Sequence, residues 1–151
     1  FSDGAYAGLK LASMYPDRVA RLVAIGAGEL IPGLRKVRFE PSEILKMDEK
    51  YWAQQLSLSP QPEKIARFWI NQADLYNSIT VSKNLFQSIS CPVLLIAGEN
   101  DRNAPLETIL HAYHMIPTCQ LGIIPNAGHG VFIDNFKATW ALIEPFIYSN
   151  N

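Results

Sequence analysis

The sequence is poor in cysteine, has no excess charge of either sign, and contains no long hydrophobic run. Lys and Arg number 13 and Asp and Glu number 14, which gives a net charge of −1. A chain without a basic excess is not expected to bind nucleic acid by charge alone. No apolar run reaches about 18 residues, so no membrane-spanning helix is expected. No basic segment followed by an apolar one opens the chain, so no signal peptide is expected.

The two cysteines, Cys91 and Cys119, are too few for a disulfide framework. Each begins an apolar run, so both are expected to be buried free thiols, which fits a cytoplasmic location. Two of the three histidines, His111 and His114, lie three apart on a predicted helix without a third ligand at a useful spacing. They are expected to be solvated, and the sequence predicts no metal and no cofactor.

What the sequence does contain is an alternation of short apolar runs with helical segments. The runs Arg21–Ala27, Pro92–Ala97 and Gln120–Ile124 have the length of strands and are continuously apolar. This pattern is typical of strands buried on both faces of a parallel sheet. Helices are predicted over Gly4–Met14, Pro105–Ile116 and Phe136–Tyr148. The order indicates an α/β fold with flanking helices.

A long, charged and aromatic segment, residues 29–87, interrupts this rhythm. Helices are predicted over Ser42–Ser57, Pro62–Tyr76 and Thr80–Gln87, with Ser42 and Thr80 as N-caps. A connection of this length with its own helices is a small inserted domain rather than a loop. The sequence therefore predicts a core made of residues 1–28 and 88–151 and a helical insertion at 29–87.

The first candidate for chemistry is the opening F-S-D-G-A. A serine, one further residue and a glycine leading into a helix form the second half of a nucleophile elbow, with Ser2 as nucleophile and Gly4 as the small flanking residue. Asp3 is disfavoured as nucleophile because Phe1 would then occupy a position that needs a small residue. A short S-x-G match is common by chance, so a polar loop serine is the alternative.

Two further candidates follow the second and third predicted strands. Asp101 lies in GENDRNAP, where α/β sheets place functional groups, with Glu99 as a rival carboxylate and a helix-capping role as the alternative. His129 lies in PNAGHG between two glycines, and an exposed loop histidine is the alternative there.

The order Ser, acid, His is that of the α/β-hydrolase triad, and 28 residues separate Asp101 from His129. The segments FSDGA, YPDRVARLVAIGA, CPVLLIAGENDRNAP and IPNAGHGVFIDN together resemble the C-terminal half of an α/β-hydrolase-fold serine hydrolase. The elbow and the CPVLLIAGEND block are most similar to valacyclovir-hydrolase-like, small-ester subgroups. The resemblance implies the last three parallel strands of that fold with flanking helices, the first five strands being absent, and a helical cap at 29–87.

The resemblance also implies roles for individual residues. Ser2 would attack the carbonyl of a small ester, amide or thioester, His129 would take its proton, and Asp101 would orient the imidazole. The amide of Asp3 would belong to the oxyanion hole. Four aromatic residues of the cap would line an acyl or leaving-group pocket, although core packing is an equal alternative for each: Trp52, Phe68, Trp69 and Tyr76.

The strands absent from this chain lead to two further expectations. The second oxyanion donor belongs to the absent part, so the isolated chain is expected to be inactive or nearly so. The edge of the Arg21–Ala27 strand is expected to be bare and to pair with a missing N-terminal half or with a second copy. Other functions stay open: a cofactor-free haloperoxidase or C–C hydrolase with the same triad, or a non-catalytic pseudoenzyme or interaction fragment.

Overall fold

The computed structural model describes residues 1–34 and 36–149, which form two compact units. Unit 1 comprises Phe1–Glu29 and the chain from Val81 onward, and unit 2 comprises Leu30–Thr80. The sequence-based division placed the second part of the core at residue 88.

The elements of unit 1 alternate between helices and strands. They are α1 (Asp3–Met14), a short 3₁₀ turn (Pro16–Arg18) and β1 (Leu22–Ile25), all before the insertion. The helices of the insertion, in unit 2, are α2 (Pro41–Met47), α3 (Glu49–Leu58) and α4 (Ile65–Ser78). Unit 1 resumes with α5 (Lys83–Gln87), β2 (Val93–Gly98), α6 (Leu106–Met115), β3 (Cys119–Ile124), α7 (Val131–Asp134) and α8 (Phe136–Tyr148).

The described residues of unit 1 contain one sheet of three parallel strands in the order β1-β2-β3. The register pairs Leu22 with Val93 and Val93 with Cys119, so the three strands start at the same level. The chain returns through a helix before β3, as a parallel connection requires. The three strands and their parallel direction confirm the α/β prediction, with strand ends shifted by at most two residues.

Burial differs between the three strands, which corrects the expectation that all are covered on both faces. Every residue of β2 is buried, because this strand lies between the other two. In β3, Gln120 and Ile123 are exposed, since β3 is the last strand of the described sheet. A continuous apolar run therefore predicted the strand correctly but did not distinguish a central strand from an outer one.

Helices cover the two faces of the sheet. Leu94 and Ile96 of β2 face one side, where Phe146 and the other apolar residues of α8 pack against them. On the opposite face α1 lies against β1, and Gly8 makes this approach close. A Cβ on Gly8 would meet Leu22 Cδ1 at 2.9 Å. The small residues of α1 thus allow it to lie directly on the strand.

The helices of unit 2 differ from the sequence-based ones at their ends. The single helix expected over Ser42–Ser57 is two helices, because Asp48 leaves the helical conformation and its carboxylate accepts the Tyr51 N–H at 2.9 Å. Asp48 is thereby the N-cap of α3. The first helix is capped at Glu40 with Pro41 following, so Ser42 is not its N-cap.

The chain re-enters unit 1 near Ser82, which precedes α5 and replaces Thr80 as its N-cap residue. Phe86 of α5 is fully buried, and α5 contacts α1 and α6. This packing explains why unit 1 resumes at Val81. The Ser82 hydroxyl and the His111 imidazole both bind the carboxylate of Glu29, at 2.5 and 2.8 Å. His111 is exposed, as expected, but it has a carboxylate partner.

Cys91 is buried, Cys119 is partly exposed, and both are free thiols. Burial raises the pKa of the Cys119 thiol to about 11, and it also raises the pKa of Cys91. In the part of the chain that the structure describes, no helix has the length and apolar character needed to cross a bilayer.

Arg21 connects the start of β1 with the end of α8. Its guanidinium donates to the carbonyl oxygens of Phe146 and Ser149 at 3.2 and 2.5 Å and to the Ser149 hydroxyl at 2.7 Å. It also lies 5.9 Å from the centre of the Phe146 ring. These carbonyls close the C-terminus of a helix, where a cation is favourable.

We expect Arg21→Met to lower the free energy of unfolding by about 1–3 kcal/mol, because the carbonyls at the end of α8 lose a charged donor. Equilibrium urea denaturation of the purified chain measures this. The matched control is Arg38→Met, since the Arg38 side chain is 79% exposed and forms a surface ion pair with Glu40 at 3.3 Å. The control should change stability by less than about 0.5 kcal/mol. Equal effects of the two substitutions would contradict the assigned role of Arg21.

Candidate functional site

Ser2 occupies a sharp turn between the sheet and α1. Its backbone has φ 50° and ψ −118°, a conformation that a residue with a side chain adopts only under strain. Two sets of hydrogen bonds hold it there. The Ser2 N–H donates to Ile25 O at the end of β1 (2.8 Å), and the Ser2 carbonyl accepts from the Ala5 and Tyr6 amides at 2.9 and 3.1 Å. The turn therefore projects the Ser2 hydroxyl at the carboxyl end of the sheet.

One imidazole joins the three residues that the sequence singled out. His129 Nε2 lies 2.9 Å from Ser2 Oγ, and His129 Nδ1 lies 2.8 Å from Asp101 Oδ2. The imidazole is 21% exposed, and the Asp101 side chain is fully buried. Ser2, Asp101 and His129 are thus brought into a single hydrogen-bonded chain, although 127 residues separate the first from the last.

The Asp101 carboxylate is held by the loop in which it lies. Its Oδ1 accepts the amides of Asn103 and Ala104 at 2.8 and 2.9 Å, which leaves Oδ2 directed at His129. Burial by itself raises the pKa of Asp101, but the hydrogen bonds from His129, Ala104 and Asn103 outweigh it and lower the pKa below its ordinary value. Asp101 does not cap α6, whose N-cap residue is Pro105 without a side-chain hydrogen bond; its carboxylate instead binds two amides of the turn that precedes the helix.

The loops that carry Asp101 and His129 are packed against each other without an intervening side chain. A Cβ on Gly98 would lie 2.0 Å from the Gly128 carbonyl oxygen and 2.6 Å from that of Ala127. The Asn100 amide donates to Ala127 O at 2.8 Å. Gly98 is therefore required for this close approach, whereas the sequence marked it only as the end of a strand.

Gly26 is a site residue that the sequence analysis missed. Its φ is +65°, and a Cβ there would meet His129 Cε1 at 2.9 Å and Nδ1 at 3.0 Å. Any larger residue at the end of β1 would occupy the space of the imidazole. The available signal was the glycine cluster after RLVAIGA, which was interpreted only as a strand terminator.

Glu99, the rival carboxylate, does not bind His129. It is exposed, and its Oε2 accepts the Asn126 amide at 2.9 Å. Gly4, expected to be small for steric reasons, has no such constraint within the described residues, since an added Cβ would meet no atom within 4 Å.

Asp3 is the first residue of α1 and directly follows Ser2 in the chain, so its N–H lies at the positive end of a helix. Phe1 covers the other side of the site. Its ring centre lies 4.8 Å from that of His129 and 5.0 Å from that of Phe132. Phe1 remains 46% exposed, so the imidazole has an apolar neighbour without being closed off.

The four aromatic residues expected to bind substrate lie in unit 2. Trp52 and Phe68 pack edge-on against Trp69 at 5.7 and 5.2 Å between ring centres, and Phe39 joins Trp69 to Tyr76. The Trp69 indole N–H is buried and has no hydrogen-bond partner among the residues that the structure describes. A cavity of about 280 Å³ borders this aromatic cluster and has six lining residues: Trp52, Gln55, Leu56, Leu58, Ser59 and Ile65. The four residues form one cluster with Phe39.

Within residues 1–34 and 36–149, no three His, Cys, Asp or Glu side chains converge in a way that could hold a metal ion. The assembled groups are a hydroxyl, an imidazole and a carboxylate. In this arrangement the imidazole can accept the hydroxyl proton while the carboxylate fixes the tautomer with its N–H on Nδ1. A hydroxyl, an imidazole and a carboxylate linked in this order are able to support nucleophilic catalysis.

The lowered pKa of Asp101 predicts a pH-dependent contribution to stability. Because the folded pKa lies below the ordinary value of 3.8, the stabilisation is complete above that value and is lost as the pH falls through the folded pKa. At pH 7 we expect Asp101→Asn to lower the free energy of unfolding by about 1–3 kcal/mol, since an amide N–H₂ then faces His129 Nδ1. The difference from wild type should shrink as the pH falls below 3.8.

Urea denaturation at a series of pH values measures the difference. The matched control is Asp17→Asn on the exposed Pro16–Arg18 turn, which should leave stability at pH 7 nearly unchanged. A wild-type advantage over Asp101→Asn that stayed constant down to acid pH would contradict the ionised, hydrogen-bonded state of Asp101.

No family model matches the chain, but solved structures do. A meta-cleavage product hydrolase from Pseudomonas fluorescens IP01 (CumD) aligns with 99% of this chain and 63% of its own, at 17% identity and a TM-score of 0.76. A serine hydrolase involved in carbazole degradation (CarC) covers 95% of this chain and 61% of its own, at 19% identity and a TM-score of 0.70. A thermophilic esterase from Thermogutta terrifontis matches 97% of this chain and 62% of its own, at 20% identity and a TM-score of 0.60.

The chain therefore spans about three fifths of the length of the solved structures it matches. At these identities the likeness is one of fold. Nearly all of this chain takes part in it, including the three parallel strands and their flanking helices. The chain has part of the α/β-hydrolase fold.

Proposed function

We propose that this chain belongs to a serine hydrolase in which Ser2, His129 and Asp101 are the catalytic triad. The observation that carries the proposal is the single imidazole within 2.9 Å of Ser2 Oγ and 2.8 Å of Asp101 Oδ2. The strained backbone of Ser2 supports it, because such strain is concentrated at functional sites.

In the proposed reaction, Ser2 Oγ attacks the carbonyl carbon of the substrate as His129 Nε2 takes the hydroxyl proton. Collapse of the tetrahedral intermediate transfers that proton from His129 to the leaving group and leaves an acyl-serine. A water molecule, deprotonated by His129, then releases the acid and restores Ser2. Asp101 stays ionised throughout and stabilises the imidazolium, for which its lowered pKa is suited.

We assign one oxyanion donor to the amide of Asp3. It follows the nucleophile and opens a helix of 12 residues, so both its N–H and the helix dipole favour a developing negative charge. The family resemblance puts the second donor in a part of the fold outside this chain. Loss of one such donor costs about 10²–10³ in turnover.

The proposed substrate is a small ester, amide or thioester. The resemblance to small-ester subgroups supports an ester, and the aromatic cluster of unit 2 would supply an apolar surface for the acyl or leaving group. The matched meta-cleavage product hydrolase keeps C–C bond hydrolysis as the second candidate, and a cofactor-free haloperoxidase is a third use of the same residues. The free thiols support the cytoplasm as the proposed location.

We expect a fluorophosphonate probe to label Ser2 in a longer protein that contains this chain, with labelling lost in Ser2→Ala and His129→Ala. Intact mass and peptide mapping identify the modified residue. The matched control is Ser82→Ala, whose hydroxyl binds Glu29 and not the imidazole, and which should label like wild type. An unlabelled Ser2 in the longer protein would favour a non-catalytic pseudoenzyme or interaction fragment instead.

For the 151-residue chain alone we expect hydrolysis of a p-nitrophenyl ester close to the uncatalysed rate. The family resemblance assigns two features to the part of the fold outside this chain. One is the second oxyanion donor, and the other is the strand that would precede Ser2 and hold its strained turn. Turnover by the purified chain that disappears in Ser2→Ala would contradict this expectation while supporting the triad.

We also propose that the free side of β1 binds a further parallel strand, from an N-terminal half of the fold or from a second copy. In the described sheet β1 has a strand on one side only. The amides of Leu22 and Gly26 donate to Pro92 O and Ile96 O on that side. By the alternation of a strand, the N–H and C=O groups of Val23 and Ile25 point the other way, where Ile25 O already accepts the Ser2 amide. An open edge of this kind favours association.

Hydrogen exchange combined with light scattering tests this edge, with the inward amides of Leu22 and Gly26 as internal controls. In dilute solution the Val23 and Ile25 amides should exchange faster than the controls, and they should become protected as the mass rises with concentration. A chain that stays monomeric at every concentration, with Val23 and Ile25 protected as well as the controls, would contradict the proposal.

A further inference from the structure

We propose that Glu99 and Asp134 are positioning residues that hold the loop of His129 in its reactive geometry. The histidine loop is residues 125–130, P-N-A-G-H-G. Both carboxylates lie outside the Ser2–His129–Asp101 set, and both bind backbone amides of this loop. Their effect on catalysis rests on the proposed function, whereas their effect on the loop does not.

Glu99 holds the loop from the side of β2. Its own amide donates to Ile124 O at 3.1 Å, which fixes its backbone to the end of β3. Its Oε2 then accepts the Asn126 amide at 2.9 Å. Asn126 has φ 58°, a left-handed conformation that costs free energy for a residue with a side chain. A charged acceptor on the amide of this same residue stabilises that conformation.

Asp134 holds the loop from the other side. It ends α7, and its Oδ2 reaches back six residues to accept the Gly128 amide at 2.7 Å. Gly128 directly precedes His129. The Asp134 amide also donates to Gly130 O at 3.1 Å, so Asp134 contacts the residue on each side of the histidine.

A third bond completes the restraint, since the Asn100 amide donates to Ala127 O at 2.8 Å. Three consecutive residues before His129 are thereby fixed, two through their N–H groups and one through its carbonyl. Such restraint matters here because glycines flank His129 on both sides and glycine has the greatest backbone freedom to lose. The hydrogen bonds to Glu99 and Asp134 therefore fix a backbone that its glycines would otherwise leave flexible.

The imidazole must reach two partners at once, which makes it sensitive to the position of its loop. Its contacts to Asp101 and Ser2 are 2.8 and 2.9 Å, and a hydrogen bond weakens steeply with distance and angle. A catalytic group held loosely by about 1 Å loses a large part of its effect. Glu99 and Asp134 therefore act through the placement of His129 and do not touch the reacting atoms in the proposed reaction.

Proton NMR of the 151-residue chain tests the proposal without requiring turnover. The Nδ1 proton of a histidine bound to a carboxylate gives a strongly downfield resonance, and its exchange with water reports how firmly the bond is held. We expect this exchange to rise about tenfold in Glu99→Ala and in Asp134→Ala, the loss corresponding to one hydrogen bond to a charged group. In Glu99→Gln and Asp134→Asn the exchange rate should return most of the way to that of wild type, because an amide oxygen still accepts the loop N–H.

The matched control is Glu144→Ala, which removes an exposed carboxylate from α8 and should leave the resonance unchanged. Alanine variants of Glu99 and Asp134 with the wild-type exchange rate would overturn the proposal. If wild type itself lacks the downfield resonance, the proposed triad is contradicted. Amide exchange of Asn126 and Gly128 then tests whether the two carboxylates restrain the histidine loop. About tenfold faster exchange of these amides in the alanine variants supports the restraint, and unchanged exchange overturns it.

Discussion

The two hydrogen bonds of one imidazole define this structure, and they depend on three parallel strands whose carboxyl ends lie at the same edge of the sheet. Leu22, Val93 and Cys119 are in register, so the segments after β1, β2 and β3 meet at one edge of the sheet. There the turn at Ser2, the loop of Asp101 and the loop of His129 converge. A slip of one strand by one residue would turn its side chains to the other face of the sheet and separate these groups.

The convergence also depends on three places where a side chain is absent. Gly26 leaves the volume that the imidazole occupies, Gly98 lets two loops touch backbone to backbone, and Gly8 lets α1 lie on β1. At each position, glycine loses more conformational entropy on folding than a larger residue would, but its missing side chain allows the neighbouring group to come close. The hydrogen bonds of the site therefore depend on this close packing. A larger residue at Gly26 or Gly98 would displace His129 or its loop and lengthen the hydrogen bonds to Asp101 and Ser2.

Sequence reasoning predicted the strands well because their signal is local. Continuous apolar runs gave all three, two of them ended by glycine and the third by Pro125. Chain order and spacing pointed to Ser2, Asp101 and His129. The break at Asp48 was missed because it depends on one side chain binding an amide three residues on, a bond that competes with helix continuation. The exposure of β3 was missed because it depends on what lies beside the strand, which a run of residues does not encode.

The sequence also did not predict the role of Gly26 or of the carboxylates that bind the histidine loop, because both depend on residues that are distant in the chain. Glu99 and Asn126 are 27 residues apart, and the steric conflict at Gly26 involves a residue more than a hundred positions away. Sequence motifs identify which chemical groups are present, whereas their mutual positions come from tertiary packing. The aromatic residues of unit 2 illustrate the limit, since their spacing is equally compatible with binding and with simple burial.

The long separation between Ser2 and His129 has a consequence for biosynthesis. The strained serine emerges from the ribosome first, and the imidazole follows only after 127 residues, near the end of this segment. Forming a contact of such high sequence separation costs more chain entropy than forming a local one. During translation the hydrogen bond between Ser2 and His129 therefore cannot form until the segment that contains His129 has been synthesised.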